Sequence, residues 1–170
     1  MRGSDADAAL YYLFRMLEAG EDPRFILRRM LIFACEDVGL SDPFAIVLIN
    51  SLLNAFEMVG LPEGEFFLSM GTIYLSLASK SNSVLISMAN AKKYVSEKKI
   101  SEVPLHLRDS HYPSAKKLGR GTGYLYPHSD PDAIYQKYMT EFFPIVFLKG
   151  IGKEKDLLLK LKEIRYKRYK

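Results

Sequence analysis

The sequence lacks most of the residues on which common catalytic and metal sites depend. Its 170 residues include no tryptophan, three histidines and a single cysteine, Cys35. One cysteine excludes an intramolecular disulfide and a cysteine-based zinc site, and a reducing, cytoplasmic setting fits this composition best. No apolar run reaches the roughly 18 residues of a membrane-spanning helix, so we expect no membrane partner. The N-terminus turns acidic before any apolar stretch, so no signal peptide is predicted.

Nucleotide-binding and catalytic motifs are missing as well. No Gly-x-x-x-x-Gly-Lys-Ser/Thr sequence is present, so no P-loop is predicted. The glycine-rich run at residues 119–123 follows no predicted strand and opens no helix, which favours a turn-rich loop over a phosphate site. The three histidines match no zinc-binding spacing. We therefore expect no catalytic residue, no metal and no cofactor in this chain, and a free-standing enzyme is the least favoured class.

The chain does have the composition of a globular protein, with unevenly placed charge. Hydrophobic residues make up 48% and charged residues 26%, which argues against extended disorder. Residues 1–75 hold 5 Lys/Arg and 11 Asp/Glu, whereas residues 76–170 hold 19 Lys/Arg and 9 Asp/Glu. This split favours either a polyanion contact in the second half or docking of one half of a molecule onto the other half of a neighbour.

Helical periodicity dominates the first hundred residues and predicts an all-α bundle. Five successive segments carry apolar residues at helical spacing and are joined by short connections. Ser4, Asp22 and Asp42 are the predicted N-caps of the first three helices, and proline follows the last two of them. Cys35 in the second helix is predicted to be a small buried hydrophobe. Gly71, inside the fourth helix, predicts the close approach of another backbone.

We expect a single domain over residues 1–170 with three parts. These are a five-helix core at residues 1–99, an ordered Pro/Gly-rich loop at residues 100–130, and terminal helices at residues 131–170. The fifth helix of the core is expected to end at Lys98-Lys99, where two cations suit a helix C-terminus.

The terminal part contains three predicted elements. Asp130-Pro131 starts a helix that is expected to run through Met139. The apolar segment at residues 142–148 is either a short strand or a buried extended strap. Residues 153–170 are predicted to form a basic helix with an apolar stripe that docks on the rest of the chain.

Basic and aromatic residues alternate within the predicted loop. Lys116, Lys117 and Arg120 lie between Tyr112 and Tyr124, and mixtures of this kind are typical of single-strand DNA binders. The plainer interpretation is a solvated loop whose tyrosines fill the core. These three cations are the candidate DNA contacts.

A pair of carboxylates lies where a helix disfavours negative charge. Glu36 and Asp37 end the second helix, and the helix dipole opposes anions at a C-terminus. They therefore need a partner such as Arg28 or Arg29, or a neighbouring subunit. These four residues are the candidate subunit contacts.

Several multi-residue motifs follow one another over roughly residues 2–128. They are Gly3-Ser4-Asp5-x-Asp7-Ala8-Ala9-Leu10-Tyr11-Tyr12-Leu13, Met16-Leu17-Glu18-Ala19-Gly20-Glu21-Asp22-Pro23, Arg28-Arg29, Glu36-Asp37-Val38-Gly39-Leu40, Pro62-Glu63-Gly64-Glu65, Leu77-Ala78-x-Lys80-Ser81-Asn82, Val103-Pro104-Leu105-His106-Leu107-Arg108-Asp109, and the glycine run at 119–123 with Tyr124, Tyr126 and His128. Together they resemble the C-terminal region of the MgsA/RarA family of replication-associated recombination proteins. These AAA+ ATPases are related to clamp loaders and to the Werner-helicase-interacting ATPase.

The resemblance implies that the chain is a fragment of a longer protein. It implies a helical domain similar to the clamp-loader collar, which joins subunits into a homotetramer. The parent is implied to be a nucleoid-associated, DNA-dependent ATPase at stalled or damaged replication forks. ATP and Mg would bind its preceding ATPase domain, and single-strand binding protein would be a partner. The leading function is thus a non-catalytic homotetramerisation domain, and the alternative is a nucleic-acid-binding module using the basic second half.

Overall fold

A computed structural model describes residues 1–97, 102–112 and 114–169. Over these ranges the chain contains α-helices and short 3-10 or π turns and no strand, so the predicted all-α fold is confirmed. The helices are α1 Ala6–Glu18, α2 Pro23–Phe33, α3 Phe44–Val59, α4 Glu65–Leu77, α5 Ser83–Glu97 and α6 Glu154–Tyr169. The predicted end of α5 at Lys98-Lys99 lies outside the described residues. No helix in these ranges is long and apolar enough to cross a bilayer.

The chain divides into two compact units. Unit 1 consists of Met1–Met88 and Val146–Leu158, and unit 2 of Ala89–Ile145 and Leu159–Lys170. The expectation of one domain over the whole chain stays a prediction.

The first two helices differ in how well their caps follow the sequence pattern. Asp22 caps α2 as predicted, because its Oδ1 accepts a hydrogen bond from the backbone N–H of Arg24 at 2.8 Å. Asp5 rather than Ser4 caps α1, accepting from the N–H of Ala8 at 2.8 Å. Ser4 has a φ of +59°, and a cap residue needs an extended backbone that presents its side chain to the helix N-terminus.

The second helix continues through a π turn at Ala34–Val38. In this turn Ala34 and Val38 are buried, whereas Cys35 is exposed. The prediction that Cys35 is buried was wrong. Hydrogen bonds between residues five apart widen the turn, and here Ala34 and Val38 take the inward-facing positions.

The core of unit 1 lies between α1, α2, α3 and α4, with α4 in contact with each of the other three. Its buried apolar residues are Leu13, Ile26, Leu27, Met30, Ala34, Val38, Ala45, Ile49, Leu52, Phe56, Leu68 and Leu75. Gly71 faces this core, where an added Cβ would lie 3.0 Å from Ile49 Cδ1 and 3.3 Å from Met30 Sδ. The close approach predicted at Gly71 therefore exists, but side chains make it instead of another backbone.

Helix α3 begins without the predicted side-chain cap. Asp42 instead accepts a hydrogen bond from the Tyr74 hydroxyl at 2.5 Å, and its other oxygen lies 3.8 Å from Lys153 Nζ. Both partners are distant in sequence, so the local Asp-Pro pattern could not indicate them.

In unit 2 the described part of residues 102–130 has only two short 3-10 turns, at Leu105–Leu107 and Lys116–Leu118. Asp130 caps the next turn as predicted, but that turn is a 3-10 helix that ends at Tyr135. The predicted helix through Met139 was wrong because Gln136 adopts an extended backbone. Its amide donates to the Leu125 carbonyl at 2.9 Å and to the Tyr138 hydroxyl at 2.8 Å.

The apolar segment at residues 142–148 forms neither a strand nor a buried strap. Phe142 and Phe147 are exposed, and the segment has no regular secondary structure. Within unit 1 the backbone N–H of Phe147 donates to Ser87 Oγ at 2.9 Å. A side chain of α5 therefore satisfies this N–H, in place of a neighbouring strand.

Candidate subunit interface

One face of α4 presents a row of large apolar side chains to solvent. Their spacing is four, three and four residues, and their exposed fractions are Phe66 76%, Met70 53%, Ile73 41% and Leu77 65%. This spacing aligns the four side chains along one side of an α-helix and is the spacing at which helices pack against other helices. We call these four residues the α4 stripe.

The opposite side of α4 packs in the core of unit 1, where Leu68 and Leu75 are fully buried. Glu65 is the only charged residue among the thirteen of the helix. A helix that is apolar all round is typical of one buried on every side. The α4 stripe therefore has the composition of a buried surface but is exposed within the described part of the chain.

A shallow cavity of about 640 Å³ adjoins the α4 stripe and is lined also by Asp42, Tyr74 and Ala78. The hydrogen bond to Asp42, with help from burial and the nearby negative charge, raises the pKa of Tyr74 to about 12. The ring of Phe44 packs edge-on against Tyr74 with centroids 6.1 Å apart. The Tyr74 hydroxyl at the edge of the stripe is thus held in place by Asp42, and it stays protonated at neutral pH.

The predicted subunit contacts near the end of α2 are not brought together. Asp37 forms a bidentate ion pair with Arg2, with distances of 2.6 and 3.0 Å to Nε and Nη2. The prediction of Arg28 or Arg29 as its partner was wrong, because the chain before α1 returns to this turn and supplies the cation. Glu36 is half-buried and has no ion pair among the described residues.

The two arginines lie elsewhere on α2. Arg28 is 3.7 Å from Asp22 and 6.0 Å from the ring centroid of Phe25. Arg29 is exposed and lines an apolar cleft of about 240 Å³ that also includes Tyr12. Neither arginine lines the cavity beside the α4 stripe, and their role as subunit contacts stays a prediction.

The predicted DNA contacts differ in whether their side chains already interact with other residues of the chain. Lys117 is exposed, whereas the Arg120 guanidinium donates to the Tyr112 hydroxyl and lies 5.5 Å from the centre of that ring. Nothing is described of the Lys116 side chain. Of Lys117 and Arg120, Lys117 alone has an exposed charge with no interaction among the described residues.

The C-terminal half of the predicted basic helix, α6, has cations that contact aromatic rings. In unit 2 Lys167 Nζ donates to the Tyr135 hydroxyl at 3.0 Å and lies 4.6 Å from its ring centroid. Arg168 donates to the Ile134 carbonyl and lies 5.0 Å from the ring of Tyr138. These cations hold α6 against the 3-10 turn and are only partly available to an anion.

Sequence reasoning also missed a buried carboxylate, Glu154, the first residue of α6. It is 0% exposed in unit 1 and accepts hydrogen bonds from the backbone N–H groups of Lys149 and Gly150, both at 2.9 Å. The Ser81 hydroxyl donates to it at 3.1 Å. Two glycines with positive φ shortly before a glutamate, at 150 and 152, are the sequence signal for such a turn.

Burial and hydrogen bonding act in opposite directions on this carboxylate. Desolvation alone would raise the pKa of Glu154, but hydrogen bonds from Ser83, Gly150, Ser81 and Ile151 outweigh it and lower the pKa below the usual range. Glu154 is therefore ionised at neutral pH, although it forms no ion pair within the described ranges. Its place among backbone donors makes it a structural anchor for residues 149–154. No cluster of three or more potential metal ligands occurs in the described ranges.

Comparison with known proteins decides the family. The family model for the MgsA AAA+ ATPase C terminal matches residues 3–164. The chain belongs to this family. It is 43% identical over 142 residues to Replication-associated recombination protein A of Bacillus subtilis, covering 83% of this chain and 34% of that protein.

Two further relatives extend the range of organisms. An uncharacterised AAA-domain-containing protein of Mycobacterium tuberculosis is 42% identical over 169 residues, covering 97% of this chain and 37% of the relative. ATPase WRNIP1 of Dictyostelium discoideum is 38% identical over 143 residues, covering 83% of this chain and 16% of the relative. The chain thus spans about a third or less of the curated relatives that it matches, and corresponds to a C-terminal part of an AAA+ ATPase.

Proposed function

We propose that this chain is a non-catalytic assembly domain that joins AAA+ ATPase subunits into a homotetramer. The observation that carries the proposal is the α4 stripe, a continuous apolar helix face left exposed in unit 1. Contiguous exposed apolar surface on a folded domain marks an interaction site. Obligate subunit interfaces are of this apolar kind and commonly exceed about 2,000 Å².

The free energy of burying the α4 stripe can be compared with the cost of association. Full burial of a large apolar side chain contributes about 1.5–3 kcal/mol, so four half-exposed side chains on each of two copies contribute on the order of 10 kcal/mol. Association costs about 4–15 kcal/mol of translational and rotational freedom. Burial of the stripe thus gives a free-energy gain of the same size as the cost of pairing two copies, and a stable tetramer needs a second surface.

The family and its relatives support a proposal for the parent protein. Relatives carry the printed name Replication-associated recombination protein A, which supports a role of the parent in replication-fork maintenance, repair and recombination, on the nucleoid. ATP and Mg would be bound by the preceding ATPase domain. DNA and single-strand binding protein would be partners of the whole protein, with this domain holding four ATPase subunits together.

The mass of the chain in solution tests the proposal. Light scattering behind size exclusion, at several concentrations and two salt levels, should give a particle of four chains of 19.4 kDa each. Ile73→Glu puts a charge in the α4 stripe and should yield smaller species, because an unpaired charge in an apolar interface is costly. Val95→Glu on α5, a β-branched residue that is also exposed, is the matched control and should keep the wild-type mass.

A wild-type chain that stays monomeric at the highest concentration would contradict the assembly function. A tetrameric wild type with an Ile73→Glu variant whose mass equals that of the Val95→Glu control would contradict the α4 stripe as the interface.

A nucleic-acid-binding module is the second candidate, and the exposed cations on α6 favour it. In unit 2 both Lys162 on α6 and Lys117 are exposed. Phosphate binding releases counterions, so the logarithm of affinity should fall linearly with the logarithm of salt concentration. Lys162→Gln should reduce that slope for single-stranded and forked DNA by about one. Absent or salt-insensitive binding removes this candidate.

A further inference from the structure

A second exposed face, on α1, has a different character from the α4 stripe. Tyr11 and Phe14 are 60% and 41% exposed there and lie next to each other along the helix. With Leu10 they line a shallow depression whose charged rim consists of Asp7, Arg15 and Glu18. This face shares no residue with the α4 stripe, and Leu13 on the opposite side of α1 is buried in the core.

The charges at the two ends of this face have no ionic partner in the described ranges. Asp7 and Arg15 are both exposed, and neither belongs to an ion pair or a side-chain hydrogen bond there. Arg15 only lies over the ring of Tyr11, at 5.8 Å from its centroid. Asp7 lies four residues before Tyr11 and Arg15 four residues after it, so an anion and a cation bracket the aromatic centre symmetrically.

We propose that this α1 face is the second contact of the tetramer, in which two copies of α1 pack antiparallel about a two-fold axis at Tyr11. This inference rests on the proposed assembly function. A two-fold contact requires a self-complementary patch, and a tetramer closed by two-fold contacts requires two different ones. The acid–aromatic–base order satisfies that requirement, because Asp7 of each copy then faces Arg15 of the other.

In the same register the third charge of the rim meets a charge of each sign. With the axis at Tyr11, Glu18 of one copy lies level with Ser4 of the other copy. There Lys80 Nζ donates to the Ser4 hydroxyl at 3.2 Å, and the Asp5 carboxylate already caps α1. The parallel arrangement would instead set Asp7 beside Asp7 and Arg15 beside Arg15, which like-charge repulsion disfavours.

A charge swap in trans tests the contact. Asp7→Arg and Arg15→Asp, each made alone in the 170-residue chain, place like charges opposite one another at both ends of the pair. Each variant should raise the dissociation constant for splitting tetramers into dimers by about 10- to 100-fold. An equimolar mixture of the two variants should regain the tetramer, since every facing pair again holds one cation and one anion.

The matched control uses an ion pair within one chain. Arg24 Nε and Glu57 Oε1 are 2.7 Å apart, so Arg24→Asp and Glu57→Arg reverse the same kinds of charge without touching the α1 face. Each should keep the wild-type mass, and mixing them should change nothing. Asp7→Arg also removes an acidic residue from the first turn of α1, which destabilises that helix. Circular dichroism of every variant measures any loss of helix content.

The outcomes separate the two proposals. Dimers for each single variant and tetramers for the mixture support the α1 contact. A tetrameric wild type with tetrameric single variants, or single variants that mixing does not restore, overturns the α1 contact and leaves the assembly function standing. A wild type that is monomeric at every concentration overturns both.

Discussion

The two compact units are stabilised in different ways. Unit 1 has a core of twelve buried apolar residues, most of them large, together with six buried polar or charged residues that include Ser81, Ser83 and Glu154. In the described part of unit 2 the buried residues are Ala115 and Ala133, and contacts such as the stacked rings of Phe142 and Tyr169 hold the rest. Because apolar burial dominates the folding free energy, we expect unit 1 to have a higher free energy of unfolding than unit 2.

Substitution of two glycines should give the largest difference between the units. Gly152 in unit 1 has a φ of +56°, and an added Cβ would lie 2.4 Å from the Ser41 carbonyl oxygen. Gly123 in unit 2 has a φ of +78° with no atom within 4 Å of such a Cβ. Gly152→Ala should therefore lower the free energy of unfolding by about 3 kcal/mol or more, since backbone strain and a clash add. Gly123→Ala should cost about 1 kcal/mol, from strain alone.

Urea unfolding followed by circular dichroism measures both glycine variants. Equal losses for the two would mean that the Ser41 backbone moves aside, and that the turn at Gly152 is no more tightly packed than the turns of unit 2.

Substitution of two glutamates on α6, one in each unit, should give the next largest difference in stability. In Glu154→Gln the amide oxygen keeps the hydrogen bonds from the Lys149 and Gly150 N–H groups, which both donate to the same carboxylate oxygen. The negative charge that strengthens these hydrogen bonds is lost, so the free energy of unfolding at pH 7 should fall by about 2 kcal/mol. Glu163 in unit 2 is exposed and pairs with Lys160 and Lys167 at 3.2 and 3.3 Å. Glu163→Gln should have a much smaller effect, because exposed ion pairs contribute little.

The pH dependence of stability gives an independent reading of Glu154. Its pKa is lower in the folded chain than the unfolded value of about 4.5, so the folded state binds the proton less readily. Its contribution is then fully present above pH 4.5 and is lost as pH falls through the folded pKa. Below pH 4.5 the free energy of unfolding should fall less steeply for Glu154→Gln than for wild type. Identical slopes would contradict the role of the ionised carboxylate as an anchor.

The smallest expected effect is a stabilisation. Thr72 in unit 1 is buried, and its hydroxyl has no hydrogen-bond partner in the described ranges. Thr72→Val keeps the shape of the side chain and removes a hydroxyl that is buried without a hydrogen bond. The free energy of unfolding should therefore rise by about 1 kcal/mol, and the melting temperature should rise with it. Thr122→Val in unit 2, where the side chain is exposed, should leave it unchanged. A lower melting temperature for Thr72→Val would mean that its hydroxyl is hydrogen-bonded in solution.

The sequence predicted features that depend on neighbouring residues and missed those that depend on distant ones. Asp22 and Asp130 cap their turns as expected, because a cap needs only the next two or three residues. The pairing of Asp37 with Arg2 joins residues 35 apart. Likewise Asp42 is engaged by Tyr74, 32 residues away, instead of capping α3. In each of these two cases a distant partner displaced the local one.

The positions of α1 to α6, the all-α class and the all-round apolar character of α4 were thus fixed by local periodicity and by the sequence of α4 itself. The helix expected through Met139 is the exception. Tertiary packing alone decided that the side of α4 with Leu68 and Leu75 enters the core while Phe66 and Leu77 face outward. A helix with two apolar faces carries no internal signal for which one is buried, since that choice depends on the shapes of α1, α2 and α3 around it. The same packing brought Glu154 to Ser81, 73 residues away in the chain, because a buried carboxylate persists only where folding assembles enough donors around it.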